Sequence, residues 1–162
     1  MWASHCIGLF VAGILIGLFS RDTSVRVHHA TTEPADNHER LGKQSVSKKM
    51  KVKIGSKTFT ATLSHNPTVA KLKAMLPMTV DMNELNSNEK FFHLPTHLPT
   101  DAANPGTIQN GDLMLWEANS LVLFYKTFRT SYRYTRIGRI DDPSGLADAV
   151  GPGSVTVTFE SE

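Results

Sequence analysis

The sequence predicts a mainly β domain that closes into a barrel, preceded by an apolar N-terminal helix. After Met50, short segments alternate apolar and polar side chains, which is typical of strands with one buried face. Turn-forming pairs such as Gly55-Ser56 and Asn110-Gly111 separate these segments at short intervals. Before Met50, residues 7–19 (IGLFVAGILIGLF) are apolar without interruption.

The composition excludes several classes of protein. The 162 residues contain 17 Lys plus Arg, 15 Asp plus Glu and a single Cys. One cysteine excludes an intrachain disulfide framework, and no Cys and His residues stand at the spacing of zinc ligands. The sequence contains neither a glycine-rich phosphate loop nor a Gly-x-Ser-x-Gly motif. We therefore predict no metal ion, no cofactor and no catalytic residue.

Residues 1–20 form the first of three regions and contain no Asp, Glu, Lys or Arg. A helix of about 20 residues is about 30 Å long and just spans a bilayer, whereas residues 7–19 have the length of a signal-peptide core. The region is predicted to be a signal peptide or a membrane anchor, and the protein to be membrane-anchored or secreted. Arg21 and Arg26 favour a cytoplasmic position for the following flank, so the orientation stays open. Alternatively, the domain starts at Met50 and the residues before it are a dispensable leader.

Residues 21–49 form the second region, a polar linker that we predict to be disordered. It has 6 basic and 4 acidic residues and almost no large apolar side chains, so it cannot build a core. His28, His29 and His38 are interpreted as solvated side chains, because a flexible chain would have to become ordered before they bound a metal.

Residues 50–162 form the third region, the folded domain, which begins with a hairpin and a short helix. Residues 51–54 and 58–63 flank Gly55-Ser56, as the two strands of a hairpin do. Asn66 is placed to cap a helix whose first turn contains Pro67, and Pro77 ends that helix.

Six further strands are predicted, with a second short helix over residues 143–150 capped by Asp141-Asp142. Two of these strands are apolar on both faces, as in the central strands of a closed barrel. The first and last strands alternate cleanly, so we expect them to pair and favour a barrel over a sandwich. The six strands cover residues 78–85, 90–94, 113–116, 121–125, 134–140 and 155–159.

The charge distribution argues against a nucleic-acid partner. Residues 50–162 carry 11 basic and 11 acidic residues and thus no net charge, whereas phosphate-backbone binding needs a basic surface. The Arg-rich and aromatic residues 128–139 are followed at once by Asp141-Asp142, so we interpret them as a solvated strand face.

Several sequence blocks, in the same order along the domain, resemble the bacterial cyclophilin-like domain family. They are Asn66-Pro67-Thr68, Leu76-Pro77 and residues 89–92, 106–115, 121–125, 134–140 and 153–157. The resemblance covers nearly all of residues 50–160. It implies an eight-stranded closed antiparallel barrel with two capping helices, and it implies no established activity. Similar domains often follow an export signal or a membrane anchor, which favours an extracytoplasmic location.

A comparison with true cyclophilins argues against peptidyl-prolyl isomerase activity. Those enzymes carry a Phe-His-Arg-x-x-Pro-Gly motif, whose Arg donates to the twisting amide. The comparable Pro105-Gly106 has Ala102 at the position of that Arg. The alternative function is prolyl isomerisation in which Arg136 or Arg139, on another strand, takes the place of the motif arginine.

The function that remains is binding of a small molecule or a peptide without catalysis. Met114, Trp116, Phe124, Tyr132 and Tyr134 supply aromatic and thioether side chains, and Arg136 supplies a charge near them. These six residues are the predicted ligand-binding site, although most of the apolar ones are also expected to pack in the core. A scaffold that engages a protein through the loop of residues 95–106 is a third interpretation. His93 and His97 are not expected to bind a metal, because Pro95 prevents the helix that would align them.

Overall fold

The structure, a computed structural model, describes residues 48–162. None of the helices in this part of the chain has the length and hydropathy needed to cross a membrane. The predicted apolar helix, the choice between signal peptide and anchor, and nearly all of the predicted linker lie outside the described residues.

Ten strands and two helices make up the described domain. In chain order the elements are β1 (Lys49–Ile54), β2 (Lys57–Leu63), α1 (Pro67–Lys73), β3 (Met78–Leu85), β4 (Glu89–His93), β5 (Thr107–Ile108), β6 (Asp112–Trp116), β7 (Ser120–Phe124), β8 (Phe128–Arg129), β9 (Thr135–Ile140), α2 (Leu146–Val150) and β10 (Val155–Ser161).

Eight of the strands close into an antiparallel barrel in the order β1-β10-β3-β4-β7-β6-β9-β2. The ring closes where β1 pairs with β10, with Val52 opposite Phe159 and Ile54 opposite Val157. This confirms the prediction that the first and last strands join. Closure leaves these eight strands without a free edge, so their main-chain donors and acceptors are paired around the ring.

The interior of the barrel is filled by apolar side chains from alternate positions of each strand. Met50, Val52, Val157 and Phe159 have no exposed surface at all. Gly138 of β9 lies against the backbone of β2, where a Cβ atom would overlap with the Thr62 carbonyl oxygen. Tight packing of this kind leaves no room for a ligand inside the ring.

β6 and β7 are buried on both faces, as their sequences predict. Leu113 and Leu123 belong to the interior cluster, whereas Met114, Val122 and Phe124 belong to a second apolar cluster on the outside of the barrel. That outer cluster is covered by the small sheet of β5 and β8. The sequence did not predict this small sheet, because its two-residue strands carry no periodic pattern and pair across a long loop.

The two helices lie where the sequence predicts them, but one end of each differs: α1 ends at Lys73, before the Pro77 that was predicted to end it. The Asn66 Oδ1 accepts a hydrogen bond from the Val69 amide at 2.8 Å, so the predicted cap of α1 is confirmed. α2 starts later than expected, at Leu146, and its N-cap is Gly145 in the left-handed conformation. The predicted Asp141-Asp142 cap is therefore wrong: Asp142 accepts from the Ser144 amide in the preceding turn, and Asp141 binds Lys49.

Only parts of the Arg-rich and aromatic run are strand, so its interpretation as one solvated strand face is wrong. β8 ends at Arg129 and β9 begins at Thr135, and the residues between them lie outside the barrel sheet. Tyr134 is buried and forms an isolated bridge with Ala103.

The Lys90 side chain is completely buried in the barrel. The Lys90 Nζ of β4 donates to Glu84 Oε2 at 2.5 Å and to the carbonyl oxygens of Gly151 and Gly153 at 2.8 and 2.5 Å. The Tyr125 hydroxyl donates to the same Glu84 carboxylate at 2.9 Å. A buried ammonium is tolerated only when its donors are satisfied, so this network ties the loop after α2 to β3 and β4.

We expect Lys90→Ala to lower the free energy of unfolding by about 4 kcal/mol, because it removes the donor from the Gly151 and Gly153 carbonyl oxygens, removes the ammonium partner of Glu84 and opens a cavity. Lys53→Ala is the matched control. Lys53 also pairs with a glutamate on a neighbouring strand, Glu160 at 2.8 Å, but both side chains are partly exposed. The control should cost less than about 1 kcal/mol. Urea denaturation measures both, and equal losses would contradict the structural role assigned to Lys90.

Candidate functional site

A cleft with a volume of about 570 Å³ lies on the outside of the barrel. Its floor is the outer face of β4, β7 and β6, together with Leu85 at the end of β3. Its opposite side is formed by residues 128–134, which we call the wall segment. We refer to this feature as the outer cleft.

Strand register determines which side chains form the floor. Glu89, Phe91 and His93 alternate with Lys90 and Phe92 along β4, so the first three share the outer face. Phe91 pairs with Val122 of β7, and His93 pairs with Ser120. Because Ser120 also pairs with Trp116 of β6, an apolar and aromatic floor runs across three strands.

Aromatic rings connect the floor to the wall segment. The Trp116 ring lies 5.3 Å from the Tyr132 ring at an interplanar angle of 84°, and 5.3 Å from the Tyr134 ring. Phe124 lies beneath them, with its centroid 5.5 Å from Tyr134 and 5.7 Å from Phe128. Edge-to-face contacts of this kind fix ring orientations, so this side of the outer cleft is preformed.

The wall segment is held mainly by a neighbouring loop. The Thr130 amide donates to the Gly106 carbonyl oxygen at 3.0 Å, and the Tyr134 amide donates to Ala103 at 2.9 Å. The Asn104 side-chain amide donates to the Ser131 carbonyl oxygen at 3.2 Å. Residues 102–106 thus support the wall, while β8 joins it to β5.

The two rims of the outer cleft expose apolar surface. Leu85 is 42% exposed and Tyr132 is 62% exposed, and they are the strongly exposed large hydrophobic residues among those that the structure describes. Both line this cleft, Leu85 from the end of β3 and Tyr132 from the wall segment. An exposed apolar patch concentrated around one concavity is typical of a binding surface.

Glu89 is a buried acid on the floor of the outer cleft. It is 8% exposed, and its carboxyl group has no hydrogen-bond partner within residues 48–162. Burial, reinforced by the negative charge of Glu84, raises the pKa of Glu89 to about 7. Burial, with a further contribution from the charge of Glu89, also raises the pKa of Tyr134.

A serine and a histidine meet at the other end of the floor. Ser120 Oγ lies 2.7 Å from His93 Nδ1, and the His93 ring packs edge-on against Phe91. No carboxylate of the described chain hydrogen-bonds this imidazole, so the pair lacks the third group that orients a catalytic histidine. Within residues 48–162, no cluster of His, Cys, Asp and Glu could hold a metal ion.

The structure brings together some of the six predicted ligand-binding residues and separates the others. Trp116, Tyr132 and Tyr134 line the outer cleft. Phe124 and Met114 are buried in the layer beneath.

Arg136 does not line the outer cleft. It borders a smaller depression of about 230 Å³ with Met114 and Tyr134. Its Nη1 lies 3.5 Å from Asp112 Oδ1, so its charge faces a buried carboxylate rather than the aromatic wall. The predicted placement of this arginine together with Trp116 and Tyr132 is therefore not what the structure shows.

Several residues of the outer cleft escaped the sequence analysis: Glu89, Phe91, His93, Phe128 and Arg129. A local signal existed for the three on β4, because they alternate along one strand. The predicted strand began one residue too late, at Lys90, and omitted the acid. For Phe128 and Arg129 no signal existed, because only the pairing of β8 with β5 positions them.

The raised pKa of Glu89 predicts a specific pH dependence of stability. An acid whose pKa is higher in the folded than in the unfolded chain binds its proton more tightly when folded, so stability falls as the pH rises from about 4.5 to about 7. We expect Glu89→Gln to remove this fall, which is about 3 kcal/mol when the difference between the two pKa values is converted at about 1.4 kcal/mol per pKa unit.

The measurement is urea unfolding of both chains at about pH 4 and about pH 8. Glu162→Gln, a change of the same kind at the exposed C-terminal residue, is the control and should follow the unmodified chain. A Glu89→Gln variant with the same pH profile as the unmodified chain would contradict the assignment.

Comparisons with known proteins agree with this architecture. A model of the cyclophilin-like family matches residues 52–160. The solution structure of a hypothetical protein from Archaeoglobus fulgidus is similar, with a TM-score of 0.53 and 19% sequence identity over 75% of this chain and 100% of that chain. No curated protein matches the chain. With the family model covering most of the barrel, the chain belongs to the cyclophilin-like family, as the sequence resemblance predicts.

Proposed function

We propose that the barrel binds a small molecule or a peptide segment in the outer cleft and performs no covalent chemistry on it. The observation that supports this most directly is the concentration of exposed apolar side chains at the two rims, Leu85 and Tyr132. A ligand that covers them removes apolar area from water, which is favourable by about 25 cal/mol per Å². The volume of about 570 Å³ also lies within the range of small-molecule sites.

The shape of the wall supports a flat, apolar ligand group. Trp116, Tyr132 and Tyr134 contact one another and present ring edges and faces at fixed angles. A ligand therefore meets side chains that are already ordered, so little conformational entropy is lost at this wall when it binds. We infer that an aromatic or alicyclic group stacks between the wall segment and the floor.

A titration with indole tests whether the outer cleft binds such a group. We expect chemical-shift changes in ¹H–¹⁵N spectra at residues 85–93, at Trp116 and at residues 128–134. Trp116→Ala should weaken binding by about tenfold or more, because an anchoring aromatic contact is lost. Arg136→Ala is the matched control from the neighbouring depression and should leave the affinity unchanged.

If indole shifts the resonances around Arg136 and Met114 instead, the ligand site is the smaller depression. Changes scattered over the barrel, or none, would contradict ligand binding in the outer cleft.

Prolyl isomerisation is the alternative function, and the position of one arginine supports it. Arg129, which sequence reasoning did not consider as the donor, lines the outer cleft together with Phe91 and Phe128. An arginine beside an apolar pocket is the arrangement that twisting a prolyl amide requires. By contrast, Arg136 lies in the other depression and faces Asp112.

We expect no acceleration when an Ala-Pro test peptide is assayed with the chain, because nothing besides Arg129 within the outer cleft is arranged to stabilise a twisted amide. The assay follows the cis-to-trans rate with and without protein. Acceleration that disappears in Arg129→Ala and persists in Arg136→Ala would establish the isomerase and overturn the non-catalytic proposal.

We further propose that residues 1–20 export the domain or anchor it to a membrane. The support is the uncharged apolar run, which is poorly compatible with water. Cell fractionation with protease protection of the intact chain tests this. Association with the membrane or with the extracytoplasmic fraction is expected, and recovery entirely in the cytosol would contradict it.

A further inference from the structure

We propose that the outer cleft recognises a small arylalkyl amine, whose protonated alkyl nitrogen pairs with the Glu89 carboxylate while its aromatic ring stacks on the wall segment. This inference rests on the proposed function, since it names the chemistry of the ligand. The proposed function concerns only the shape of the ligand. This inference also assigns a positive charge to the part of the ligand that reaches the floor.

The first argument is that Glu89 differs from the other sequestered acids of the barrel. Asp112 is fully buried, accepts from the Gln109 amide at 2.8 Å and faces Arg136. Glu84 accepts from Lys90 and from Tyr125. Glu89 is 8% exposed, its carboxylate oxygens are not fully buried and open into the cleft, and it accepts from no group of the described chain. Burial of a carboxylate costs little free energy only if a hydrogen-bond donor or a cation pairs with it. We infer that the missing donor is supplied by the ligand.

The second argument is that the positive side chains around Glu89 are engaged elsewhere or do not pair with it. Lys90 is on the inner face of β4, with its Nζ held by Glu84, Gly151 and Gly153. His93 lies at the other end of β4, where its Nδ1 contacts Ser120.

The remaining elements around the floor carry two cations, Arg129 and Lys126, and neither forms an ion pair with Glu89; Lys126 Nζ lies over the Tyr125 ring. Arg129 of β8 is exposed. Glu84 of β3 and Asp112 of β6 are negative, and Tyr125 and Tyr134 are neutral hydroxyls whose pKa values are raised by burial first and then by nearby carboxylates. The local field thus favours a cation.

The third argument is the chemistry of the surrounding surface. Phe91, Phe128 and Tyr134 line the same cleft as Glu89. Aromatic faces attract ammonium groups. A carboxylate at the floor with rings around it therefore offers an ammonium group both an ion pair and a cation–π contact. Asn88, which also lines the cleft, has a buried Oδ1 without a donor among the described residues, so it is a second unsatisfied acceptor beside the acid.

The inference carries a pH dependence with a definite sign. An ammonium group pairs with the ionised carboxylate, and in the free protein that form is the minority below the pKa of about 7. The amine stays protonated across this range. Affinity should therefore rise about tenfold between about pH 6 and about pH 8, as the ionised fraction of Glu89 rises. Binding should also release a proton.

The experiment compares three probes of one shape on the full chain. Phenethylamine is cationic, 2-phenylethanol is neutral and phenylacetate is anionic. Dissociation constants are measured by ligand-observed NMR titration at about pH 6 and about pH 8. We expect phenethylamine to bind at least about tenfold tighter than 2-phenylethanol at the higher pH, and phenylacetate to bind weakest.

Two variants assign the effect to Glu89. Glu89→Gln should abolish the preference for the amine and its pH dependence, while 2-phenylethanol binds as before. Glu162→Gln, which removes the same charge from the exposed C-terminal residue, should behave as the unmodified chain does. A preference for the amine that survives in Glu89→Gln would overturn the proposal.

The outcomes separate this inference from the proposed function. If 2-phenylethanol or phenylacetate binds as tightly as phenethylamine, the cleft binds ligands but not through an ion pair, and only the present inference fails. If no probe binds, both fail. If a peptide with an internal lysine beside a phenylalanine binds tighter than phenethylamine, the assignment to a small amine is overturned.

Discussion

The main-chain pairing of β1 with β10 is the constraint on which the rest of the molecule depends, because it turns a sheet into a ring. A closed ring must fill its interior, and here Met50, Val52, Val157 and Phe159 fill it without exposed surface. A ligand is therefore excluded from the inside. The outer face of β4, β7 and β6 carries a second apolar layer, and it is on this face that we propose a ligand binds.

Alternation along β4 separates two buried charges that are neighbours in sequence. Lys90 points to the interior and has all its partners within the chain, which is what stability requires. Glu89 points to the outside and has none, which is unfavourable for stability in the absence of a ligand. The same strand thus carries a satisfied charge that serves folding and an unsatisfied one that is available for recognition. The unfavourable burial of Glu89 is consistent with a functional role, since strained or unpaired groups concentrate at sites.

Sequence reasoning succeeded where structure is decided locally. The period-two pattern of the strands, the Asn66 cap and the two-sided burial of β6 and β7 are properties of short segments, and each was confirmed. The Asp142 cap failed because a left-handed Gly145 provides a different start for α2.

The candidate site was only half predictable, because it is assembled from distant segments. Trp116, Tyr132 and Tyr134 were nominated from their chemistry, and they do line one cleft. Arg136 was nominated together with Tyr134, and the two do line the smaller depression, but there Arg136 lies 3.5 Å from Asp112 and does not reach the outer cleft. Glu89 could be recognised only from its burial and from the absence of a hydrogen-bond donor to its carboxylate. Neither property can be read from a sequence.

The main chain of residues 130–134 is held by residues 102–106, and this has a consequence for how the wall segment can vary. Residues 130–133 are tied to a loop, so they can be exchanged without altering the packed ring. A change of sequence in this short stretch would alter one side of the outer cleft and leave the pairing of the eight strands in place. The barrel would then act as a constant frame with a replaceable side wall.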